Sequence, residues 1–275
     1  MTDQPDWVHP SVPSDSRVIV SAGVGAQHYR KLLRSTENHC AVHCPDTWRL
    51  FYDVLPEGCE PHVQRPYKFK ITALQKPIEA GYRYVVWMDA TFQPIASIEP
   101  LWAHIKERGW YCARQGDAKL GAWTSSAALS VMGINRDKAM KIPLVFSGLL
   151  GLDMWSAPGR HIWGLWKEAE EQGIFFGPHV NAPGSPISEH GLKWRGHCAY
   201  DPRCEGHRHD ESALSFILWK LGLEAPAADW AALGLGRHVP DYDVVAMRAY
   251  IKGHGVLGWD EAERACGDFP GEELL

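Results

Sequence analysis

The chain has 275 residues, of which 45% are hydrophobic and 22% are charged, a balance typical of a globular protein. Its formal net charge of −5 argues against a protein that binds nucleic acid mainly through charge. No linker rich in Ser, Gly or Pro divides the chain near its middle, so we expect one large α/β domain.

The N-terminal segment, residues 1–15, is polar and contains proline, and it lacks the apolar stretch of a signal peptide. The most apolar stretch, residues 142–155, is too short to span a bilayer, which takes about 20 apolar residues. Seven cysteines, an odd number, fit a reducing compartment. We therefore predict a cytoplasmic protein without a membrane segment, in which a polar leader precedes the folded domain.

The first predicted strand is residues 17–22 (RVIVSA), a β-branched run, and a helix is predicted after it over residues 27–33. Gly23 and Gly25 lie between the two, but the third glycine of a dinucleotide-binding fingerprint is missing. A plain loop is therefore the simpler interpretation of these glycines.

Apolar residues recur at spacings of three and four over residues 67–78, which predicts an amphipathic helix that Gly81 ends and Pro77 kinks or shortens. Residues 82–88 (YRYVVWM) then predict a strand that stops at Asp89. In proteins with a mostly parallel sheet, ligands bind at the carboxyl ends of the strands. Asp89 is thus the best-placed polar residue of the chain.

Helices and strands continue to alternate, which is typical of a mostly parallel sheet flanked by helices. The further predictions are strands at residues 110–113, 144–154 and 244–250 and helices that begin near residues 98, 161 and 210. Residues 173–208 lose this periodicity and are rich in Gly, Pro, His and Ser, so we predict a long functional loop there. The domain is expected to span residues 16–250, with a C-terminal tail at 251–275.

Residues 67–102 resemble the centre of the GT-A glycosyltransferases, in which a helix leads into an apolar strand that ends in an Asp-x-Asp motif. In that family the motif binds a metal ion and the diphosphate of the donor. Here the motif is Asp89-Ala90-Thr91, so a hydroxyl stands in place of the second carboxylate. The motif therefore offers a metal ion one carboxylate fewer than Asp-x-Asp does, which weakens the case for metal chelation.

A second segment, His209-Asp210-Glu211-Ser212, resembles the His-Asp-Glu-Ser segment of the blood-group-type galactosyltransferases, whose carboxylates lie beside the acceptor and the anomeric carbon of the sugar. The order of WTSSAALSVMGI, SGLLGLDM and HRHDES is also similar to uncharacterised glycosyltransferase-like proteins, some of them from phages, which would place a viral chain in the host cytoplasm. The resemblance covers roughly residues 65–222. It implies a single GT-A-like (Rossmann-like) domain and a nucleotide-sugar-dependent glycosyltransferase.

Such a reaction releases a nucleoside diphosphate, whose charge a divalent ion, cationic side chains or helix N-termini can stabilise. We predict that Asp89 holds Mn²⁺ or Mg²⁺ and that Thr91 contacts the ion or the phosphate. Lys68 and Lys70 are expected to reach the diphosphate as point charges. The simpler alternatives are a turn cap for Asp89 and a solvated helix start for the two lysines.

Three further residues are predicted to bind the donor. Ser21 and Gly23 lie at the end of the first strand, and the indole of Trp123 can stack on an apolar sugar face. Packing in the core is the alternative role for Trp123.

Asp210 and Glu211 are the predicted catalytic residues, because the acceptor hydroxyl needs a base or the sugar needs a nucleophile. Glu211 is the candidate nucleophile if the reaction retains configuration. The alternative is that both residues only favour the dipole and cap the free N–H groups of the helix that they open.

His209 and His254 are predicted metal ligands together with Asp89. A structural zinc site is the alternative, and its candidate ligands are His197-Cys198 with Cys204-x-x-His207. A second His-Cys pair of this kind occurs at residues 39–44. Buried thiols without a metal would explain the same cysteines.

The sequence leaves three functions open. The first is glycosyl transfer, with a UDP-sugar as the commonest donor and a glycan, a small molecule or a hydroxymethylated DNA base as the acceptor. The lack of a basic run argues against the DNA acceptor, because duplex binding depends on phosphate neutralisation. The second is a non-catalytic nucleotide-sugar-binding module, and the third is a nucleotidyltransferase.

Overall fold

The computed structural model describes residues 13–25, 27–62, 64–177 and 198–237. Most of the predicted leader, the middle of the predicted long loop, the strand predicted at residues 244–250, the tail and His254 lie outside the described residues. Within the described part, no helix is long and apolar enough to cross a membrane.

Strands and helices alternate along most of the described chain. The strands are β1 (Arg17–Ala22), β2 (Trp48–Tyr52), β3 (Tyr84–Met88), β4 (Phe92–Pro94), β5 (Trp110–Lys119), β6 (Pro143–Asp153) and β7 (Leu235–Arg237). The helices are α1 (Gln27–His43), α2 (Lys68–Glu79), α3 (Glu99–Arg108), α4 (Ser126–Met132), α5 (Arg136–Ala139), α6 (Ala157–Glu171) and α7 (His209–Lys220).

The main sheet has five strands in the order β2-β1-β3-β6-β5, and β4 pairs with β7 in a small second sheet. Strand β1 is parallel to both β2 and β3, whereas β6 is antiparallel to both β3 and β5. Strands β2, β1, β3 and β5 therefore point in one direction and β6 in the other. The predicted α/β fold with a mostly parallel sheet is confirmed.

The antiparallel position of β6 determines what lies at the functional edge of the sheet. Because β6 runs against β3, its middle passes the carboxyl end of β3, and the backbone N–H of Asp89 donates to the carbonyl of Gly148 at 2.8 Å. Residues from the centre of a strand thus meet a residue from the end of another.

Alternate residues of the central strands pack into different hydrophobic clusters, as the two-residue period of a strand requires. Val85 and Trp87 face the cluster that includes residues of α2, α6 and α7, whereas Val86 and Met88 face the cluster that includes residues of α3. The central strands are therefore buried on both faces, and α2, α6 and α7 pack against the same face of the sheet.

The structure differs from the sequence-based expectations at Pro77 and at β2, among other places. Helix α2 continues through Pro77 and ends two residues later, at Glu79. Strand β2 was not predicted, because its sequence WRLFY is exposed or half-buried and its apolar run, LFY, is only three residues long.

Candidate active site

Asp89 lies directly after β3 at the carboxyl edge of the sheet. Its Oδ1 accepts a hydrogen bond of 2.6 Å from Nε1 of Trp87. A Cβ on Gly148 would lie 2.6 Å from Oδ2 of Asp89 and 2.3 Å from Cε1 of Phe146, so only glycine fits beside this carboxylate. The Asp89 side chain is 31% exposed. Its carboxylate is therefore fixed in position and still accessible to a ligand.

Lys70, in the first turn of α2, connects two parts of the site. Its Nζ lies 3.1 Å from Oδ1 of Asp89 and 2.9 Å from Oδ2 of Asp210, and its side chain is only 3% exposed. The rings of Tyr67 and Trp87 lie 5.2 and 5.4 Å from the same Nζ. The ammonium group is thus enclosed by two carboxylates and two aromatic rings.

The environment of Lys70 changes its pKa in two opposing ways. Burial lowers the pKa, and the charges of Asp210 and Asp89 together with the hydrogen bonds that they accept from Lys70 raise it by more in total, so the net pKa lies above the ordinary value for lysine. A lysine with a raised pKa stabilises the fold at every pH below its unfolded pKa of about 10.4, and this contribution is lost only above that pH. Lys70 is therefore a permanent cation at neutral pH.

Asp210 is held from several sides at the start of α7. Oγ of Ser147 donates to Oδ2 of Asp210 at 2.7 Å, and Nε1 of Trp166 donates to its backbone carbonyl at 3.2 Å. The N-terminus of a helix also favours a carboxylate. Asp210 is 2% exposed and its Oδ2 oxygen is already engaged by Lys70 and Ser147.

Glu211 follows Asp210 in the first turn of α7 and is 8% exposed. Successive side chains of an α-helix point in directions that differ by about 100°. The two neighbouring carboxylates therefore point in different directions, although the same helix N-terminus favours both of them.

Two histidines attach the start of α7 to the residues after α6. Nδ1 of His209 lies 2.7 Å from the carbonyl of Phe175, and Nε2 of His207 lies 2.9 Å from that of Ile174. Nδ1 of His207 accepts from the backbone N–H of Ser125 at 3.3 Å, so its Nε2 is the protonated donor. Both ring nitrogens of His207 are therefore used in hydrogen bonds.

The two helices that supply Lys70 and Asp210 both begin with unusual backbone geometry. Among the described residues, the non-glycine residues with positive φ are Tyr67 (59°) and His209 (43°), and their rings lie 5.2 Å apart. This region of backbone space is unfavourable for residues with a Cβ. Such geometry persists where surrounding contacts enforce it, as at functional sites.

The residues predicted to bind a divalent metal do not form a metal site in the described part of the chain. No group of three or more His, Cys, Asp or Glu side chains there could hold an ion. Oδ1 of Asp89 faces Lys70, Nδ1 of His209 is bound to Phe175, and His254 lies outside the described residues. The arrangement does not fit a divalent ion between Asp89 and Asp210, because an ammonium group occupies that position.

The predicted zinc ligands Cys198 and Cys204 are both buried and form a thiol pair. A hydrogen bond between the two thiols lowers the pKa of Cys204 to about 7 and raises the pKa of Cys198. His207 is engaged by other partners, and His197 lies outside the described residues. Cys40 of α1 and Cys44, directly after that helix, are also buried, in the hydrophobic core.

Three of the predicted donor-binding residues lie in or beside well-packed parts of the structure. Ser21 is fully buried within β1. A Cβ on Gly23 would lie 2.4 Å from the carbonyl of Tyr29, so the glycine allows α1 to approach the end of β1. Lys68 is 24% exposed and forms an ion pair of 2.6 Å with Glu60.

The other two predicted donor-binding residues lie in loops. Thr91 is half-buried in the turn between β3 and β4. Trp123 follows β5, and its carbonyl accepts a 2.6 Å hydrogen bond from Oγ of Ser212, while its ring contacts the guanidinium of Arg208 at 4.8 Å. Trp123 is thereby attached to the start of α7, next to Asp210 and Glu211.

Several residues that build this site were not predicted from the sequence. Ser147 is a lone hydroxyl in the apolar run of β6, and Trp87 precedes Asp89 by two residues. The isolated polar residue and the two-residue period are the signals that could have identified them. Nothing in the sequence pairs Lys70 with Asp210, because that contact depends on how α2 and α7 meet.

No protein-family model matches the chain, and no curated protein matches its sequence. Its fold is similar to solved structures of glycosyltransferases. Mouse xyloside xylosyltransferase 1 is 8% identical, with a TM-score of 0.45 over 78% of this chain and 85% of the other. The galactosyltransferase LgtC, in complex with donor and acceptor sugar analogues, is 14% identical, with a TM-score of 0.36 over 90% of this chain and 93% of the other. These scores assign no residue of this chain, so its site is interpreted from its own side chains.

Replacing Lys70 by Met should destabilise the protein by about 3–5 kcal/mol, because two carboxylates lose their buried counter-ion. The matched control is Lys68→Met, two residues away on the same helix, which removes a partly exposed ion pair and should cost about 0–1 kcal/mol. Urea unfolding at pH 7 measures both free energies of unfolding. Equal, small losses for the two variants would show that the ion pairs of Lys70 do not stabilise the fold.

Proposed function

We propose that the chain is a glycosyltransferase that moves a sugar from a nucleotide-sugar donor to an acceptor hydroxyl, at the edge where α2, β3 and α7 meet. The observation that carries this proposal is the ion-paired set Asp89, Lys70 and Asp210. It joins the strand end that resembles a donor-binding motif to the helix start that resembles a catalytic segment. The two segments lie more than 100 residues apart in the sequence.

The donor side of the proposal rests on Asp89 and two helix N-termini. The partly exposed carboxylate of Asp89 can accept hydrogen bonds from hydroxyl groups of the donor. Lys70 lies in the first turn of α2 and Asp210 in that of α7, so both N-termini are close to Asp89. Helix N-termini stabilise phosphate charge, which suits a diphosphate. Thr91 and Trp123 are the proposed additional donor contacts.

The catalytic side of the proposal assigns different roles to the two neighbouring carboxylates. The engagement of Oδ2 of Asp210 by Lys70 and Ser147 supports a positioning role for that residue. We assign Glu211 the reacting role. As a base, Glu211 takes the proton of the acceptor hydroxyl. The acceptor oxygen then bonds to the anomeric carbon of the sugar while the bond from that carbon to the diphosphate breaks.

As a nucleophile, Glu211 would itself first bond to the anomeric carbon, releasing the nucleoside diphosphate. The acceptor oxygen would then displace the carboxylate, with retention of configuration. A UDP-sugar is the first donor to test. The acceptor classes to test are glycans, small hydroxyl compounds and hydroxymethylated DNA, for which the acidic net charge is unfavourable.

Donor binding is tested by thermal stability in the presence of a panel of nucleotide sugars. A ligand that binds only the folded state raises the melting temperature by mass action. We expect one donor to stabilise the wild type and not Asp89→Asn. The matched control, Asp46→Asn, changes an exposed residue just before β2, at the opposite edge of the sheet, and should behave as wild type. A panel without any stabilising donor would contradict the proposal.

Catalysis is tested by the release of nucleoside diphosphate from the donor that binds. Glu211→Gln should keep the stabilisation by the donor and lower turnover by about 10²–10⁴-fold, because the variant cannot take up a proton or attack the sugar. Glu171→Gln, at the exposed end of α6, is the control.

Unchanged turnover in Glu211→Gln would show that Glu211 is not the reacting residue. Donor binding without release of nucleoside diphosphate for any acceptor would instead identify a binding module. Release of pyrophosphate from a nucleoside triphosphate would identify a nucleotidyltransferase.

A further inference from the structure

We infer that Lys70 takes the place of a divalent cation between Asp89 and Asp210, so that the chain binds its nucleotide-sugar donor without a divalent metal. The inference deepens the proposed function and rests on it. It differs from the prediction that Asp89, His209 and His254 hold Mn²⁺ or Mg²⁺.

The first argument is the position of the ammonium group. Its Nζ lies 3.1 Å from Oδ1 of Asp89 and 2.9 Å from Oδ2 of Asp210. A Mg²⁺ ion binds oxygen at about 2.0–2.1 Å, so an ion shared by these two oxygens would occupy the volume that the ammonium fills. The side chain of Lys70 is 3% exposed, and the rings of Tyr67 and Trp87 lie beside its charge.

The second argument is the occupancy of the two oxygens. Oδ1 of Asp89 also accepts from Nε1 of Trp87, and Oδ2 of Asp210 also accepts from Oγ of Ser147. Each oxygen therefore accepts two hydrogen bonds, which uses both of its lone pairs. A metal ion that binds these two oxygens would have to displace a donor as well as the ammonium group at each of them.

The third argument is the charge at the sheet edge. Thr91 removes one negative charge relative to an Asp-x-Asp motif, and an ammonium in place of a divalent ion removes one positive charge. The two changes compensate, so the site keeps the net charge that a metal-containing version would have. The N-termini of α2 and α7 remain to stabilise the diphosphate.

The direct test compares donor binding by the full-length wild type in EDTA with donor binding in Mn²⁺, by thermal stability. We expect the same donor to raise the melting temperature equally in both buffers. Stabilisation in Mn²⁺ alone overturns the inference and leaves the proposed function standing. No stabilisation in either buffer overturns the proposed function itself.

A second test needs no donor and uses Mn²⁺ alone as the probe. Lys70→Ala leaves two facing carboxylates and an empty volume, so Mn²⁺ should raise the melting temperature of this variant by about 2 °C or more. The wild type and the control variant Lys68→Ala should not respond. An equal response of all three proteins, or none from Lys70→Ala, overturns the assignment of Lys70 to the cation position. If Lys70→Ala does not fold, the EDTA comparison on the wild type decides.

Discussion

A buried ammonium group between two carboxylates is the interaction on which the site depends. Removing charges from water is unfavourable unless the partners are close and well oriented. Lys70 therefore requires Asp89 and Asp210 at about their present positions, which brings the start of α2, the end of β3 and the start of α7 together. The positive φ angles of Tyr67 and His209 occur at the starts of these two helices.

The fold supplies the rest of the site through one reversed strand. Because β6 is antiparallel within a mostly parallel sheet, Ser147 and Gly148 come from the middle of a strand to the carboxyl edge. Ser147 orients Asp210, and Gly148 leaves room for Asp89. In the proposed function, the accessible carboxylate of Asp89 serves the donor and Glu211 on α7 serves the reacting bond.

Much of the fold could be predicted from the sequence, since β3 is a continuous apolar run and α2 has clear helical periodicity of its apolar residues. Asp89 and Asp210 could be identified as polar residues at a strand end and a helix start. Their connection through Lys70 could not, because it depends on tertiary contacts between distant segments. The sequence suggested that Lys70 would contact the diphosphate, and in the structure its ammonium group lies between two carboxylates. Strand β2 was not predicted, because it is exposed or half-buried and only five residues long.

The most direct measurement of the central claim is a double-mutant cycle on Lys70 and Asp210. The free energy of unfolding is measured for the wild type, Lys70→Met, Asp210→Asn and the double variant. Since the two charges contact each other in a buried position, the double variant should be less destabilised than the sum of the single variants, by about 1–3 kcal/mol. Additive losses, within about 0.5 kcal/mol, would show that the two side chains do not interact in the folded protein.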